Sequence, residues 1–373
     1  MKTFTLLIGL ISLCFTLQAQ TLKTASPTCL VEGHIRGMQG EVPVQVIQTQ
    51  RGKITKTLHS GKSVNGDFSF TVPACEEVCE LQFGNNPAHP MFFAESGNVR
   101  IEGHVDSLFF SRPSGTRANE EWRQYRLYSE KLGQWRGQQL VSSDMKALDE
   151  AAQQQKRKEI MAEYDRLMDA FLDSLNTDGC SLVALYVTWN TLVADTSEKI
   201  DSILGHFRPE MKDNAYYQAL EARRDVLKRT APGAKAPLFS VVSLNGDSIS
   251  LSEFQGKYVI LDFWASWCVP CRGETKFVKA LYQKFHTKGL EVFSVSLDQD
   301  EQKWRQAVKQ DSMVWRHGIL TGNLKQQVSD LYGVQAIPAI WVIDPQGKII
   351  ARGLRREKLQ TFVEELFKQT QEK

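Results

Sequence analysis

The run Tyr258-Val259-Ile260-Leu261-Asp262-Phe263-Trp264-Ala265 is almost wholly apolar and stops at Trp267-Cys268-Val269-Pro270-Cys271. Such a run, closed by turn residues, reads as a strand. Beyond it Phe277, Leu281 and Phe285 recur at spacing four, with Lys276, Lys279 and Lys284 between them, which is helical periodicity. Pro270 suits the first turn of that helix, where no N–H partner is lost. The segment therefore demands a strand, a tight turn carrying two cysteines, and a helix. Cys268 is expected at the exposed helix start, and Cys271 one turn inside.

That placement has a chemical consequence. The nucleophile of thiol–disulfide exchange is the thiolate, and a free cysteine is mostly protonated near neutral pH. The unpaired N–H groups of a helix start carry partial positive charge and favour a thiolate there. The first cysteine can attack a disulfide, and the second can resolve the mixed disulfide within one turn. A zinc half-site needs a second pair of ligands, and no matching Cys-x-x-Cys or His-x-x-x-His follows. A structural disulfide is the other alternative. The strand before and the helix after favour redox chemistry.

The stretch from Asp262 to Arg272 resembles the active-site segment of the thioredoxin superfamily. Glu274, three residues after the second cysteine, is similar to the glutamate of the TlpA/ResA/CcmG-like branch of extracytoplasmic thiol–disulfide oxidoreductases. Val334-Gln335-Ala336-Ile337-Pro338-Ala339 resembles the superfamily's cis-proline loop, followed by the strand Ile340-Trp341-Val342-Ile343. The resemblance spans about Pro232 to Lys373. It implies that Cys268 attacks, Cys271 resolves, and Ile337 and Pro338 shape the client groove, with Trp267 covering the pair and Val269 and Pro270 beside the substrate. Two departures stand out. Lys276 occupies a place where the branch often has proline, and Asp262 resembles the buried acid of thioredoxins proper, where some ResA-like members carry an amide. Asp262 and Glu274 are both candidate proton carriers, since a carboxyl in apolar surroundings has its pKa raised by desolvation. The structural alternatives are a strand-end aspartate and a helix-surface glutamate.

The chain has 373 residues, more than one such domain needs. Its formal net charge is +2, with 45 basic and 43 acidic residues, so no charge field points to nucleic acid. Met1-Lys2-Thr3 precedes an uncharged apolar stretch from Phe4 to Leu17, too short to span a bilayer and suited to a signal-peptide core. Leu17-Gln18-Ala19 offers a cleavage site, so residues 1–19 are expected to be a signal peptide; a retained anchor is the alternative. A lipid anchor on Cys14 fits poorly, because Leu13 is not small and the apolar run continues past it. Export to the periplasm or cell envelope places the protein outside the reducing cytosol.

Six cysteines follow the expected leader: Cys29, Cys75, Cys79, Cys180, Cys268 and Cys271. Cys75-Glu76-Glu77-Val78-Cys79 is too close for a bridge between strands but can close a small loop, and Cys29 can pair with either instead. With His89 and His104 a metal site is conceivable, but the spacing fits no familiar zinc pattern. Cys180, at the start of an apolar helix, is expected to be a buried single thiol.

Residues 26–115 read as a small β-rich domain. Val42, Val44 and Val46 alternate with Pro43 and Gln45, and Asn65-Gly66-Asp67 leads into Phe68-Ser69-Phe70. The pattern resembles the β-rich domain of unknown function that often precedes thioredoxin-like domains in exported proteins. Gly61-Lys62-Ser63 is not a phosphate loop, because position 56 is Lys56 rather than glycine. Residues 116–230 read as helical. Met161, Tyr164, Leu167, Met168, Phe171 and Leu175 share one face of Asp144–Leu175, and Ser181–Val193 is apolar enough to pack inside. Ala231-Pro232-Gly233-Ala234-Lys235-Ala236-Pro237 is a linker to a thioredoxin-like domain at 232–373. There a hairpin at Asn245-Gly246, a strand at Glu291–Leu297, an inserted helix at Glu301–Gln310 and a terminal helix from Glu357 are expected.

The expected fold class is thus α/β: a C-terminal thioredoxin fold with a central mixed sheet flanked by helices, after a β-rich domain and a helical segment. The expected function is exported thiol–disulfide exchange with client proteins, as a reductant rather than an oxidant. The Cys268–Cys271 disulfide is itself the redox centre, with no metal or organic cofactor, and the resemblance implies a membrane thiol electron donor. Two rivals are set against this. A peroxiredoxin-like peroxidase needs Pro-x-x-x-Thr-x-x-Cys; the threonine place before Cys268 is Ala265, and before Cys271 it is Cys268, so the pattern is absent at both. An envelope ligand-binding or scaffold protein would carry its ligand on the first 230 residues.

Overall fold

A computed structural model describes residues 27–50, 53–191 and 196–371. The leader expected at residues 1–19, with its cleavage site and Cys14, lies outside the described residues. The chain divides into two compact units between Arg123 and Gln124.

The first unit is built on one eight-stranded sheet. Its strands are β1 (Thr28–Arg36), β2 (Glu41–Gln50), β3 (Lys53–Val64), β4 (Asp67–Pro73), β5 (Val78–Phe83), β6 (Met91–Phe93), β7 (Gly97–His104) and β8 (Arg112–Ser114). Their order is β6-β5-β2-β3-β4-β1-β7-β8, antiparallel except for the parallel pair of β1 and β7. Period-two alternation sets the faces: in β4 the side chains of Phe68, Phe70 and Val72 are buried while their neighbours are exposed. They join Val31, Leu81, Phe83, Val99 and Ile101 in one apolar core. The turn between β3 and β4 needs its glycine. Gly66 has φ +89, and a Cβ there would meet the Ile35 carbonyl oxygen at 2.2 Å. The helix α1 (Arg117–Val141) begins in this unit. There Asn119 accepts from the Phe93 N–H and donates to its carbonyl, both at 2.9 Å.

The second unit opens with helices α2 (Ser143–Lys146), α3 (Glu150–Leu175), α4 (Leu182–Thr191), α5 (Ser197–Leu204) and α6 (Ala215–Arg229). The single amphipathic stretch expected from Asp144 is therefore two helices. The side chain of Asp149 accepts from the Ala152 N–H at 2.8 Å and starts α3 afresh. Cys180 is half-buried rather than buried, because α4 starts only at Leu182. Ser181 caps it by accepting from the Ala184 N–H. Among the described residues no helix is long and apolar enough to cross a membrane.

The rest of the second unit has the thioredoxin fold. Strands β9 (Ser240–Ser243), β10 (Ser248–Ser250), β11 (Tyr258–Trp264), β12 (Leu290–Ser296), β13 (Arg316–Ile319), β14 (Ala339–Ile343) and β15 (Ile349–Arg352) form a mixed sheet ordered β10-β9-β13-β12-β11-β14-β15. Strands β11, β12 and β13 are parallel; β14 and β15 continue the sheet antiparallel. Helices α7 (Val269–Phe285), α8 (Glu301–Gln310), α9 (Gly322–Tyr332) and α10 (Arg356–Gln371) complete the domain. The helix at Glu301–Gln310 has the bounds its sequence indicated. Lys276, in the place of a frequent proline, lies inside an unbroken α7.

Alternation along β11 sends Val259, Leu261 and Phe263 into one core, with Phe293, Val328 and Tyr332. It sends Ile260 and Trp264 into the other, with Val278, Leu281 and Phe285 of α7 and Val363 and Phe367 of α10. Every buried residue of these two cores lies between Ala236 and Phe367. Residues 232–373 alone are therefore expected to melt as one cooperative unit, followed by circular dichroism. A fragment without a cooperative transition would make α6, whose Val226 meets Gly333, part of that core.

Candidate active site

The site is built where β11 ends and α7 begins. Cys268 is the N-cap of α7, and its sulfur lies 3.2 Å from the backbone nitrogen of Cys271, which donates to it. The two cysteines are joined as a disulfide. Pro270 sits in the first turn, as its missing N–H allows. The turn before the pair is pinned from β12. Asp298 accepts from the Ser266 backbone N–H at 2.8 Å and from its hydroxyl at 2.6 Å, while Ser296 donates to the same carboxylate at 2.6 Å.

Cys268 was expected at an exposed position, and the structure corrects this: it is 5 % exposed, close to the buried Cys271. The reason is the neighbouring loop. The Cys268 sulfur lies 3.8 Å from the carbonyl oxygen of Ile337, and the Ile337–Pro338 peptide is cis. What remains exposed is the rim. Trp267 is 65 % and Val269 79 % exposed, so Trp267 presents most of its surface to solvent beside the pair. Arg355 holds the loop from behind, donating to the Pro338 carbonyl at 2.7 Å. A cleft of about 610 Å3 opens on that side of Pro338, bordered by Ala336, Trp341, Arg355 and, from α6, Arg223 and Leu227.

Both carboxyl groups are buried, with different partners. Asp262 stands in the middle of β11, not at its end, on the face shared by Ile260 and Trp264. Burial pushes its pKa up to about 7, and the nearby Glu274 carboxyl adds to the rise. Ser294, its register partner on β12, opposes the shift by donating to Asp262 at 3.2 Å, and itself accepts from the Trp315 indole at 2.9 Å. Glu274 lies on the buried stripe of α7 with Cys271 and Val278 rather than on the helix surface. Its carboxylate accepts from the backbone N–H of Arg356, at the start of α10, at 2.7 Å, with the Arg356 guanidinium 3.6 Å away. A helix N-terminus is a favourable neighbour for a carboxylate.

The fold thus brings Asp262, Cys268, Cys271, Glu274 and Ile337 to one place, with Pro338 behind the last of these. Ser294, Asp298, Arg355 and Arg356 were not singled out from sequence, since each acts through a partner at least 17 residues away. Among the described residues no group of three or more His, Cys, Asp or Glu is arranged to hold a metal. His89, considered with the cysteines, pairs with Glu80 at 2.8 Å. Chemically, a buried cysteine pair at a helix start, in one core with Ile260 and Trp264 on the β11 face that carries Asp262, can form and resolve a mixed disulfide. In the reduced protein Cys268 should be alkylated faster than Cys271, which is set into α7. Timed alkylation with peptide mapping reads this, and equal labelling would contradict it.

Comparison with known proteins agrees with this chemistry. Residues 232–352 match the AhpC/TSA family. Thiol-disulfide oxidoreductase ResA of Bacillus thuringiensis subsp. konkukian is 34 % identical over 136 residues, covering 36 % of this chain and 76 % of that protein. ResA of Bacillus subtilis is 30 % identical over 137 residues, covering 36 % of this chain and 72 % of that protein. Among solved structures, the thioredoxin domain of a thiol-disulfide oxidoreductase from Bacteroides vulgatus is 36 % identical with a TM-score of 0.36. It covers 37 % of this chain and 98 % of that one.

Proposed function

From the premise that the chain belongs to the ResA family of thiol–disulfide oxidoreductases, we propose that it acts outside the cytosol as a reductant of client-protein disulfides through Cys268 and Cys271. The observation that supports this best is the buried pair at the start of α7, in one core with the β11 face that carries Asp262, whose carboxyl has its pKa near 7. A group of that pKa exchanges protons readily at neutral pH.

The reaction begins from the reduced pair. The Cys268 thiolate, favoured by the helix start, attacks a client disulfide; one client sulfur leaves and a mixed disulfide forms. Cys271 gives its proton to Asp262, and its thiolate attacks the Cys268 sulfur. The second client thiol leaves, and the Cys268–Cys271 disulfide remains. Glu274, tied to Arg356, positions this end of α7 and raises the proton affinity of Asp262. The client lies along the Ile337–Pro338 loop, between the exposed Trp267 and Val269 and the cleft beside Pro338. A dithiol, which we assign to a membrane thiol carrier, then returns two electrons. Export rests on the apolar leader at residues 4–17.

The deciding experiment is equilibration of the pair with glutathione buffers of graded ratio. A reductant stays oxidised until the buffer is strongly reducing; a pair that becomes reduced in mildly oxidising buffer would be an oxidant and would overturn the direction proposed.

A further inference from the structure

Away from the Cys268–Cys271 site, three more cysteines gather in the first unit. Cys29 on β1 and Cys79 on β5 are fully buried in its core, and Cys75, in the connection from β4 to β5, is half-buried against that core. The sulfurs of Cys75 and Cys79 lie 4.0 Å apart, about van der Waals contact. The connection that carries them is held at both ends by one residue. Ala94 accepts from the backbone N–H groups of Cys75 and Glu76 at 3.0 and 3.4 Å, and its own N–H donates to Glu77 at 3.1 Å. Between the cysteines Glu76 adopts φ +52, the left-handed region that a side chain rarely enters, which folds the chain back on itself. The two thiols are thus held together by the backbone.

Their surroundings differ in the way that attack and resolution require. Cys75 has partial access to solvent, and Gln48 on β2 donates to its sulfur at 3.4 Å. The hydrogen bond with Cys79 holds the Cys75 thiol below its ordinary pKa against the effect of burial; the Glu77 backbone and Lys56 add to the lowering, and the Glu77 charge opposes it. Cys79 has its own pKa raised by that same bond and by burial. Burial pushes the Cys29 thiol up to about 11, which keeps it protonated.

We propose that Cys75 and Cys79 are a second redox-active dithiol, with Cys75 as the attacking thiol and Cys79 as the resolving one. The Cys75 thiolate attacks a disulfide, of a protein or of a small thiol, forming a mixed disulfide and releasing one thiol. The first leaving group departs as a thiolate and takes the Cys79 proton; the Cys79 thiolate attacks the Cys75 sulfur and releases the second group as a thiolate, which solvent protonates. The attacked disulfide is reduced by two electrons, and Cys75–Cys79 becomes the disulfide. Closure needs the sulfurs to approach by ~2 Å from their present 4.0 Å. Cys29 stays a protonated bystander. This site is independent of the function proposed for Cys268 and Cys271.

The test uses the full chain carrying Cys268→Ser and Cys271→Ser, so that disulfide formed within it comes from the other cysteines. The protein is equilibrated with reduced and oxidised glutathione at graded ratios, quenched with an alkylating agent and mapped by peptide mass. The expected result is that Cys75 and Cys79 lose alkylation together, following a two-electron curve that reverses when the ratio is reversed. Cys79→Ala added to this chain should leave glutathione on Cys75, at least tenfold more than on Cys29. Because Cys79 is buried and its replacement can harm folding, the titration of the parent chain decides by itself. Absence of a Cys75–Cys79 disulfide at every ratio overturns the proposal, as does pairing with Cys29. A disulfide that survives excess dithiothreitol in the folded protein is an inert brace and overturns it too.

Discussion

Cys271→Ser should accumulate client proteins covalently on Cys268, releasable by a small thiol reductant, and its multiple-turnover reduction of disulfides should fall by at least about 10³-fold. The magnitude follows from the resolving step. In the native protein the second thiol is one helical turn from the first, and well-oriented intramolecular groups reach effective molarities on the order of 10⁵ M or more. A serine hydroxyl cannot take that role, and resolution must wait for a thiol from solution. The substitution leaves the helix start intact, because Cys271 donates to the Cys268 sulfur through its backbone nitrogen. Cys268→Ser should trap far less, since Cys271 lies on the buried stripe of α7. Non-reducing gels of extracts from cells expressing each form read the result. A folded, exported Cys271→Ser protein without reductant-sensitive adducts would mean that Cys268 is not an exchange nucleophile. The rival of an envelope binding module would then gain the ground lost.

Asp262→Asn should change how stability depends on pH. In the folded protein with the Cys268–Cys271 disulfide formed, the Asp262 carboxyl has its pKa pushed up to about 7 by burial, against about 3.9 for the unfolded chain. The folded state therefore holds the proton more tightly. Its stabilising contribution is full below the unfolded value and is lost as pH rises from about 4 to about 7, after which it is constant. The full difference is on the order of 4 kcal/mol. Asparagine has no such proton, so the variant should gain stability relative to the native chain across that window, with the advantage level above about pH 7. Urea midpoints at pH 4, 5.5, 7 and 8 measure it. A constant difference across those values would show that Asp262 does not titrate in the window. The same substitution should slow resolution by Cys271 at neutral pH and remove a rate increase centred near pH 7, because the proton acceptor is gone.

The two carboxyl groups show where sequence reading stopped. Asp262 was legible as a buried acid because Ile260, Leu261, Phe263 and Trp264 surround it in the chain. Its partner Ser294 was not, because that contact depends on the register of β11 against β12. Glu274 was legible as a candidate through spacing from Cys271 and the resemblance that spacing carries. That it is held by the Arg356 N–H, 82 residues away, depends on how α10 packs beside α7. The exposure expected for Cys268 failed for a similar reason: a helix start is open to solvent only until another loop, here Ile337–Pro338, is laid against it. The continuous amphipathic reading of Asp144–Leu175 failed locally instead, since Asp149 can cap a new helix as easily as extend the old one.

What the sequence determined by itself was local in range. The strand into Trp264, the turn carrying the two cysteines, the helix after them and the helix at Glu301–Gln310 all follow from periodicity and caps within a few residues. Those signals are short-ranged because hydrogen bonds within a helix and the alternation of a strand are short-ranged. Only the tertiary structure decided which groups share a site: Asp298 anchoring Ser266, Arg356 holding Glu274, Ile337 over Cys268, and Cys75 beside Cys79 through Ala94. Most of these contacts join segments tens of residues apart. Their existence depends on the sheet order and on the packing of layers, which no local pattern specifies.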